Sequence, residues 1–420
     1  MRRKLVNKLN EWLIESVNTP LVITGAKGVG KTYLIFDFAK ENFASNLYFN
    51  FEHDYKVRDL FSGNCDETLQ NICTYFDSTI DFENTLIILD EYYLCQGAID
   101  FVSNIKSNSN IINVICAISD TNLPPDNTRD YLNTFYDTGN MKVVRLYPFD
   151  FEEFLIATNN EWYAEAIKEH FNTNKPLPDI VHNDLLNMFN DYMYIGGMPS
   201  VINEYLLTDS YVNVTEKHAL LSNSNMAALS AKIPEGEYIK AVNVYKTIPT
   251  QLMRANKKFQ YSLIRKGATR KLYEKTIQYL CNTGYIVKCD RLYSENDDES
   301  FKLYMNDVGI LYSTTKSIYN DEFNKSLVEN YVLQNLLAND NEVYFWESKS
   351  QAKIDFVARK GKDHLFYAIE VKNGTETRSK NYSVFKETIR NNAGLIKVSA
   401  KNFSYSKGVK FIPLYAVFCI

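Results

Sequence analysis

Apolar positions divide the chain into stretches of different period. Leu5, Leu9, Trp12, Leu13 and Val17 recur at helical spacing, so residues 3 to 17 read as one amphipathic helix, which Pro20 closes. Leu21 to Thr24 is a short apolar strand, and after a glycine-rich turn Tyr33 to Phe43 returns to a helical pattern. Leu47 to Phe51, Leu86 to Leu89 and Ile111 to Ile118 supply three more strands. The second of these is apolar throughout, as in strands buried on both faces of a parallel sheet. Strands alternating with helices predict a doubly wound α/β domain ending near Pro148.

Beyond Phe149 the pattern is mainly helical to about Ala231, broken by a tight turn at Gly196-Gly-Met-Pro199. Several short helical segments follow from Ile233, ending in the strand-like Tyr285 to Lys288. Three helices and a terminal hairpin suit a winged-helix module. Residues 292 to 300 are acidic and polar and read as a loop. Past Phe301, the strands Val343 to Trp346, Lys353 to Ala358 and Leu365 to Val371 indicate a final α/β domain.

A length of 420 residues implies several domains, and 45% hydrophobic with 14% aromatic residues supplies packed interiors for them. The net charge of −5 selects neither a nucleic-acid nor a membrane partner. Seven scattered cysteines without a CxxC pair argue against a disulfide framework or zinc ribbon, and fit a reducing cytoplasm. The basic amino terminus lacks the apolar core of a secretory signal. No stretch approaches the ~20 apolar residues that span a bilayer. No HExxH or paired-histidine metal site occurs.

The chemistry concentrates first at Gly25-Ala26-Lys27-Gly28-Val29-Gly30-Lys31-Thr32. This is G-x(4)-G-K-[ST] between an apolar strand and a helix, the context that a phosphate-cradling P-loop requires. Glycines let successive N–H groups turn inward to phosphate oxygens, and the helix N-terminus adds partial positive charge. The expected ligands are ATP and Mg2+, with Lys31 on the β- and γ-phosphates and Thr32 on the metal. Asp90 and Glu91 close the apolar strand Leu86 to Leu89. Asp90 is expected in the magnesium water shell, and Glu91 as the carboxylate that polarises the attacking water. Ser119 ends the next strand, where a γ-phosphate sensor would stand. Arg129 and Arg145 are the candidates for an arginine finger.

Several runs together resemble a known family: GAKGVGKT, TLIILDE, RLYPFDFEEFL, GGMP, YIKAVNVYKTIPTQL, NKKFQYSLI, FKLYMNDVGIL, KIDFV and IEVK. The chain is similar, nearly end to end, to bacterial and archaeal AAA+-type ATPases that join a P-loop module to a C-terminal domain of unknown function (family 4143). Lys27 and Gly28 stand where relatives usually carry an arginine–glutamine pair. Tyr92 and Tyr93 replace a frequent glutamine, and Ile118-Ser119 a glycine–serine. The phosphate cradle is untouched by these departures.

Two further features lie outside the P-loop. Residues Lys246 to Lys275 hold nine lysines and arginines against the single acid Glu274, with Phe259, Tyr261 and Tyr273 interleaved. That composition is an electrostatic footprint for nucleic acid. Near the end, Asp355 lies in the strand KIDFVA, and Glu370 and Lys372 share a face of YAIEVK because residues two apart in a strand do so. This arrangement resembles PD-(D/E)xK nucleases, in which Asp355 and Glu370 would hold a divalent metal. Lys372 would then steady the attacking water, and Glu329 would match the accessory glutamate.

The expected organisation is α/β. An AAA+-type P-loop domain spans 1–150, a helical lid or linker 151–231, a winged-helix-like module 232–300 and a PD-(D/E)xK-like domain 301–420. The expected activity is Mg-dependent ATP hydrolysis coupled to nucleic-acid binding or processing. The alternative is a nucleotide-gated regulatory or scaffold protein acting on a protein partner, without nuclease activity. No membrane partner is expected, and self-association as a homo-oligomer is left open.

Overall fold

A computed structural model describes residues 1–15, 18–108, 110–123, 140–293, 300–315, 325–360, 365–372 and 380–420. The chain divides into two compact units, with the division between Tyr147 and Pro148. The first holds Arg2–Tyr147 with Asn282–Gly284, and the second holds Pro148–Cys281 with Tyr285–Ile420.

In the first unit, β1 (Leu21–Gly25), β2 (Ser45–Asn50), β3 (Thr85–Asp90), β4 (Asn113–Ser119) and β5 (Lys142–Arg145) form one sheet in the order β2-β3-β4-β1-β5. Every neighbouring pair is parallel. Sequence reasoning found four of these strands and missed β5, whose four residues, Lys-Val-Val-Arg, are too few to show a period. β1 and β3 are buried along their whole length, as continuous apolar runs in a parallel sheet must be. The helix Lys31–Asn42 packs Leu34, Ile35, Phe38 and Ala39 inward. On one side of the sheet, Phe61 meets Phe49, Phe51 and Phe101 edge-on, with ring centroids 5.1–5.6 Å apart. This layering brings the carboxyl ends of β1, β3 and β4 to one edge, where ligands bind in open parallel sheets.

The second unit begins with helices, among them Phe151–Ala157, Asp179–Ile195, Pro199–Thr208 and Tyr211–Ser230. Glu235–Leu252 is one continuous helix of 18 residues, not the short segments expected there. The mixed sheet that follows has β6 (Ile286–Arg291), β7 (Phe301–Met305), β8 (Asn341–Glu347), β9 (Lys353–Lys360), β10 (Phe366–Val371), β11 (Asn392–Ser399), β12 (Ser404–Ser406) and β13 (Val409–Pro413). Their order is β12-β13-β11-β10-β9-β8-β6-β7. β6 and β7 pair antiparallel, and β6 also pairs parallel with β8. The boundary expected at 300/301 therefore falls inside a strand pair of this sheet. The reason is that the β6 edge finds its hydrogen-bond partners in β8 instead of ending in a separate module. Most of the acidic stretch 292–300 lies outside the described residues.

The helix Lys325–Ala338 is buried from Ser326 through Leu336, so it is wrapped by protein on all sides. Two of its buried amides are matched to backbone. Asn330 accepts from Met305 N (2.9 Å) and donates to Met305 O (3.0 Å), and Gln334 accepts from Val308 N (3.2 Å).

Three of the runs that carry the family resemblance meet in this unit. Asp307 accepts from the backbone N–H of Gly197 (2.6 Å) and of Ile310 (3.0 Å). Phe149 N donates to Gly197 O at 2.7 Å, and Tyr192 donates to Phe149 O at 2.7 Å. Gly197 is obligatory here, since a Cβ would stand 2.1 Å from Phe149 O. The PFDFEEFL part of the first motif, GGMP and MNDVGIL are thus one packing joint.

Candidate nucleotide site

The glycine loop leaves β1 at Gly25, whose φ is 149° and whose Cβ position lies 2.3 Å from Leu146 O. Gly28 and Gly30 have φ of 89° and 94°, a region that side chains disfavour, so the loop can curl before the helix starts at Lys31. Lys31 is buried, and its ammonium donates to Gly25 O (2.9 Å), Ala26 O (3.1 Å) and Ser119 Oγ (3.2 Å). Burial pulls its pKa below that of an ordinary lysine, while Glu91, Asp120 and Asp90 act to raise it. Lys27, earlier in the loop, is paired with Glu52 at 3.1 Å.

Beside the loop, Thr32 Oγ1 donates to Asp90 Oδ2 at 2.9 Å. The same oxygen accepts from Tyr48 at 2.8 Å, and Asn50 donates to the Tyr48 hydroxyl at 2.9 Å. Burial raises the Tyr48 pKa to about 12, so it stays a donor at neutral pH. Sequence reasoning missed Tyr48, because its reach to Asp90 depends on β2 lying beside β3, which no local pattern announces.

Glu91 takes a left-handed backbone conformation (φ 54°), and its N–H donates to Ala117 O at 2.9 Å. Its carboxylate turns to the end of β4. Oε2 accepts from Ser119 N (2.9 Å) and Asn122 Nδ2 (2.7 Å), while Oε1 accepts from the Ser119 hydroxyl. Both oxygens are engaged, and Ser119 joins Lys31 to Glu91. Asn122 was not foreseen either. Of the two arginine-finger candidates, Arg129 lies outside the described residues. Arg145 is instead tied within its own unit, with both guanidinium nitrogens on Asp120, one of them at 3.2 Å. Asp120 is almost wholly buried and requires that cation.

The residues present fit a magnesium nucleotide. The loop has no Cβ at its three turning glycines, one ammonium lies within it, and a hydroxyl and a carboxylate stand together at its rim.

In the second unit, Asp355 on β9 and Glu370 on β10 both line one cavity, together with Glu329 and Lys372. β9 and β10 are adjacent and antiparallel, and Val371 N donates to Asp355 Oδ2 at 2.9 Å. No group of three metal-binding side chains forms among the described residues. Asp355 carries Lys325 at 3.1 Å, and Glu370 faces Lys397 at 3.8 Å. The basic segment is also partly consumed internally. Lys257 pairs with Glu329 at 2.7 Å, Lys258 with Glu347 at 2.8 Å and Arg270 with Glu274 at 2.8 Å. Tyr273 is buried and Phe259 stacks on Phe301, so these rings are held in packing and do not offer faces for bases.

Residues 17–155 match the family model described as an AAA domain. Residues 186–318 and 324–417 match two domains of unknown function, DUF8612 and DUF4143. Among solved structures, the chain is similar to the Walker-type ATPase PABY2304 of Pyrococcus abyssi (14% identity, 75% of this chain, 95% of that chain, TM-score 0.44). It is also similar to the Aeropyrum pernix ORC2 protein in its ADPNP–ADP complexes (14% identity, 74% of this chain, 92% of that chain, TM-score 0.36). No curated protein matches. The matched AAA domain and the parallel sheet with its glycine loop give the first unit the fold of an AAA-type P-loop ATPase. No described helix is long and apolar enough to cross a membrane.

Proposed function

We propose that the first unit binds ATP with Mg2+ and hydrolyses it. The observation that carries this reading is the Thr32–Asp90 contact at 2.9 Å beside a loop whose interior holds the Lys31 ammonium. Backbone N–H groups of the loop would take the phosphate oxygens, and Lys31 would exchange its carbonyl partners for the β- and γ-phosphates. Mg2+, held by Thr32 and Asp90, would neutralise charge developing on the transferred phosphoryl group. Glu91 would orient the attacking water, with Ser119 reporting on the γ-phosphate through its bonds to Lys31 and Glu91. The test is calorimetry with Mg-ATP and steady-state phosphate release. Lys31→Ala is expected to abolish binding, and nucleotide affinity equal to that of the parent would reject the site.

A specific observation favours slow, gated turnover as a second reading. With three donors on its carboxylate, Glu91 is held off water until Ser119 or Asn122 moves. A partner that shifts the end of β4 would then switch turnover on, as expected of a nucleotide-gated regulator. We read the mixed sheet as PD-(D/E)xK-like, supported by the neighbouring positions of Asp355, Glu370 and Glu329. Nucleic acid remains our preferred partner, through the exposed Lys246, Arg265, Lys266 and Lys271. Phosphate release with and without DNA or RNA separates a nucleic-acid partner from a protein one.

A further inference from the structure

The cavity in the second unit has a volume of about 650 Å³, within the range that accommodates a nucleotide-sized ligand. Seven lysine and arginine side chains line it, against four carboxylates. Each carboxylate already has an ammonium. Glu329 has Lys257 at 2.7 Å and Lys325 at 3.5 Å, and Asp355 has Lys325 at 3.1 Å. Glu347 has Lys258 at 2.8 Å and Lys353 at 3.3 Å, and Glu370 has Lys397 at 3.8 Å. Lys325 therefore stands between Asp355 and Glu329, where a shared divalent ion would have to sit.

A buried carboxylate needs one compensating positive charge, and lysine supplies it as a metal would. With the acids matched, three cations are left over. Arg254, Lys302 and Lys372 line the cavity and have no carboxylate within ion-pair distance among the described residues. Lys302 lies over the Phe345 ring at 4.7 Å, a contact that fixes its position without cancelling its charge. Three uncompensated cations around a polar hollow of this size suit a ligand carrying two or more negative charges, and a phosphate is the common one.

We propose that this cavity is a metal-independent receptor for a phosphate group of a nucleotide, free or at the end of a nucleic-acid strand. Lys302, Lys372 and Arg254 supply the contacts, and Lys325 and Lys257 act as built-in counter-ions for the acids. The proposal does not rest on the ATPase reading, since the cavity belongs wholly to the second unit.

The test uses the full chain carrying Lys31→Ala, so that the first unit's phosphate cradle is disabled, in buffer with EDTA. Inorganic pyrophosphate, a mononucleotide, and one oligonucleotide with and without a 5′-phosphate are titrated by calorimetry. Pyrophosphate is expected to bind without metal. Lys302→Gln with Lys372→Gln is expected to weaken it by about tenfold or more at unchanged Tm. Asp355→Asn is expected to leave affinity equal or tighter, because a negative charge is removed. The tighter of mononucleotide and 5′-phosphorylated strand identifies the source, and either supports the receptor. No binding of any probe in EDTA would overturn it, as would an unchanged affinity in the double glutamine variant. Binding that needs Mg2+ and is lost in Asp355→Asn would establish a metal site instead. ATP affinity of the parent chain is measured separately, so the two readings can fail independently.

Discussion

The backbone N–H of Ser119 donates to Glu91 Oε2 at 2.9 Å, so the candidate catalytic carboxylate is held by the strand expected to sense its substrate. Asn122 adds a side-chain donor to the same oxygen at 2.7 Å. Removing that donor weakens the hold without touching the carboxylate. Asn122→Ala is therefore expected to raise basal phosphate release several-fold, while Glu91→Gln keeps ATP bound and stops turnover. An Asn122→Ala rate at or below the parent would show that the hold does not limit turnover.

Lys31 illustrates a cost retained for function. Its pKa in the folded protein is lowered, chiefly by burial, from the ordinary 10.5. The unfolded chain thus binds that proton more tightly, and the penalty on folding is absent above pH 10.5. It grows as pH falls below 10.5 and is complete once pH lies below the lowered pKa of the folded protein. Lys31→Met keeps the stem and removes the charge. At pH 7 it is expected to raise Tm of the nucleotide-free protein by a few degrees, on the order of 1 kcal/mol, while abolishing nucleotide affinity. The Tm gain should shrink as pH rises towards 10.5. A lower Tm at pH 7 would mean that the bonds to Gly25, Ala26 and Ser119 outweigh desolvation.

The motif-bearing part of the site was legible because its chemistry is local. Gly25, Gly30, Lys31 and Thr32 are fixed by one turn, and Asp90 and Glu91 by the end of one apolar strand. What escaped depends on neighbours brought from elsewhere in the chain. Tyr48 reaches Asp90 only because β2 lies beside β3, and Asn122 reaches Glu91 only across the parallel β3–β4 pair. The same holds in the second unit. Charge counting along residues 246–275 saw a free basic face, but Lys257 and Lys258 find acids more than 70 residues away in Glu329 and Glu347. The β6–β7 hairpin has a local signature that cannot tell a free wing from two strands added to a larger sheet.

Asp307 offers a stability test confined to the second unit. It is fully buried and accepts from Gly197 N at 2.6 Å and Ile310 N at 3.0 Å. Asp307→Ala leaves both donors buried without an acceptor, at a cost of about 3 kcal/mol. The expected result is faster proteolysis and earlier melting of residues 148–420, with Mg-ATP affinity of the first unit unchanged. A melting profile like the parent's would mean that the joint between GGMP and MNDVGIL is not held by this carboxylate.

The last prediction separates the structural lysines of the basic segment from those free to meet a phosphate backbone. Lys257 and Lys258 neutralise Glu329 and Glu347, so a polyanion gains little from them, and their removal leaves buried Glu329 with Lys325 alone and half-buried Glu347 with Lys353 alone. Lys246, Arg265, Lys266 and Lys271 are exposed. If this face follows duplex DNA, log affinity falls with log salt by roughly 0.9 per neutralised phosphate. Arg265→Gln with Lys266→Gln is then expected to flatten the slope by about 2 units and weaken binding to all sequences alike. Lys257→Gln with Lys258→Gln is expected to lower Tm and to leave the slope nearly unchanged. Fluorescence anisotropy across a salt series, with melting curves for both variants, reads both quantities. Equal slope changes for the two pairs would mean that Lys257 and Lys258 leave their carboxylates to bind DNA. A parent chain that retains no DNA or RNA at low salt would remove nucleic acid as the partner of this face.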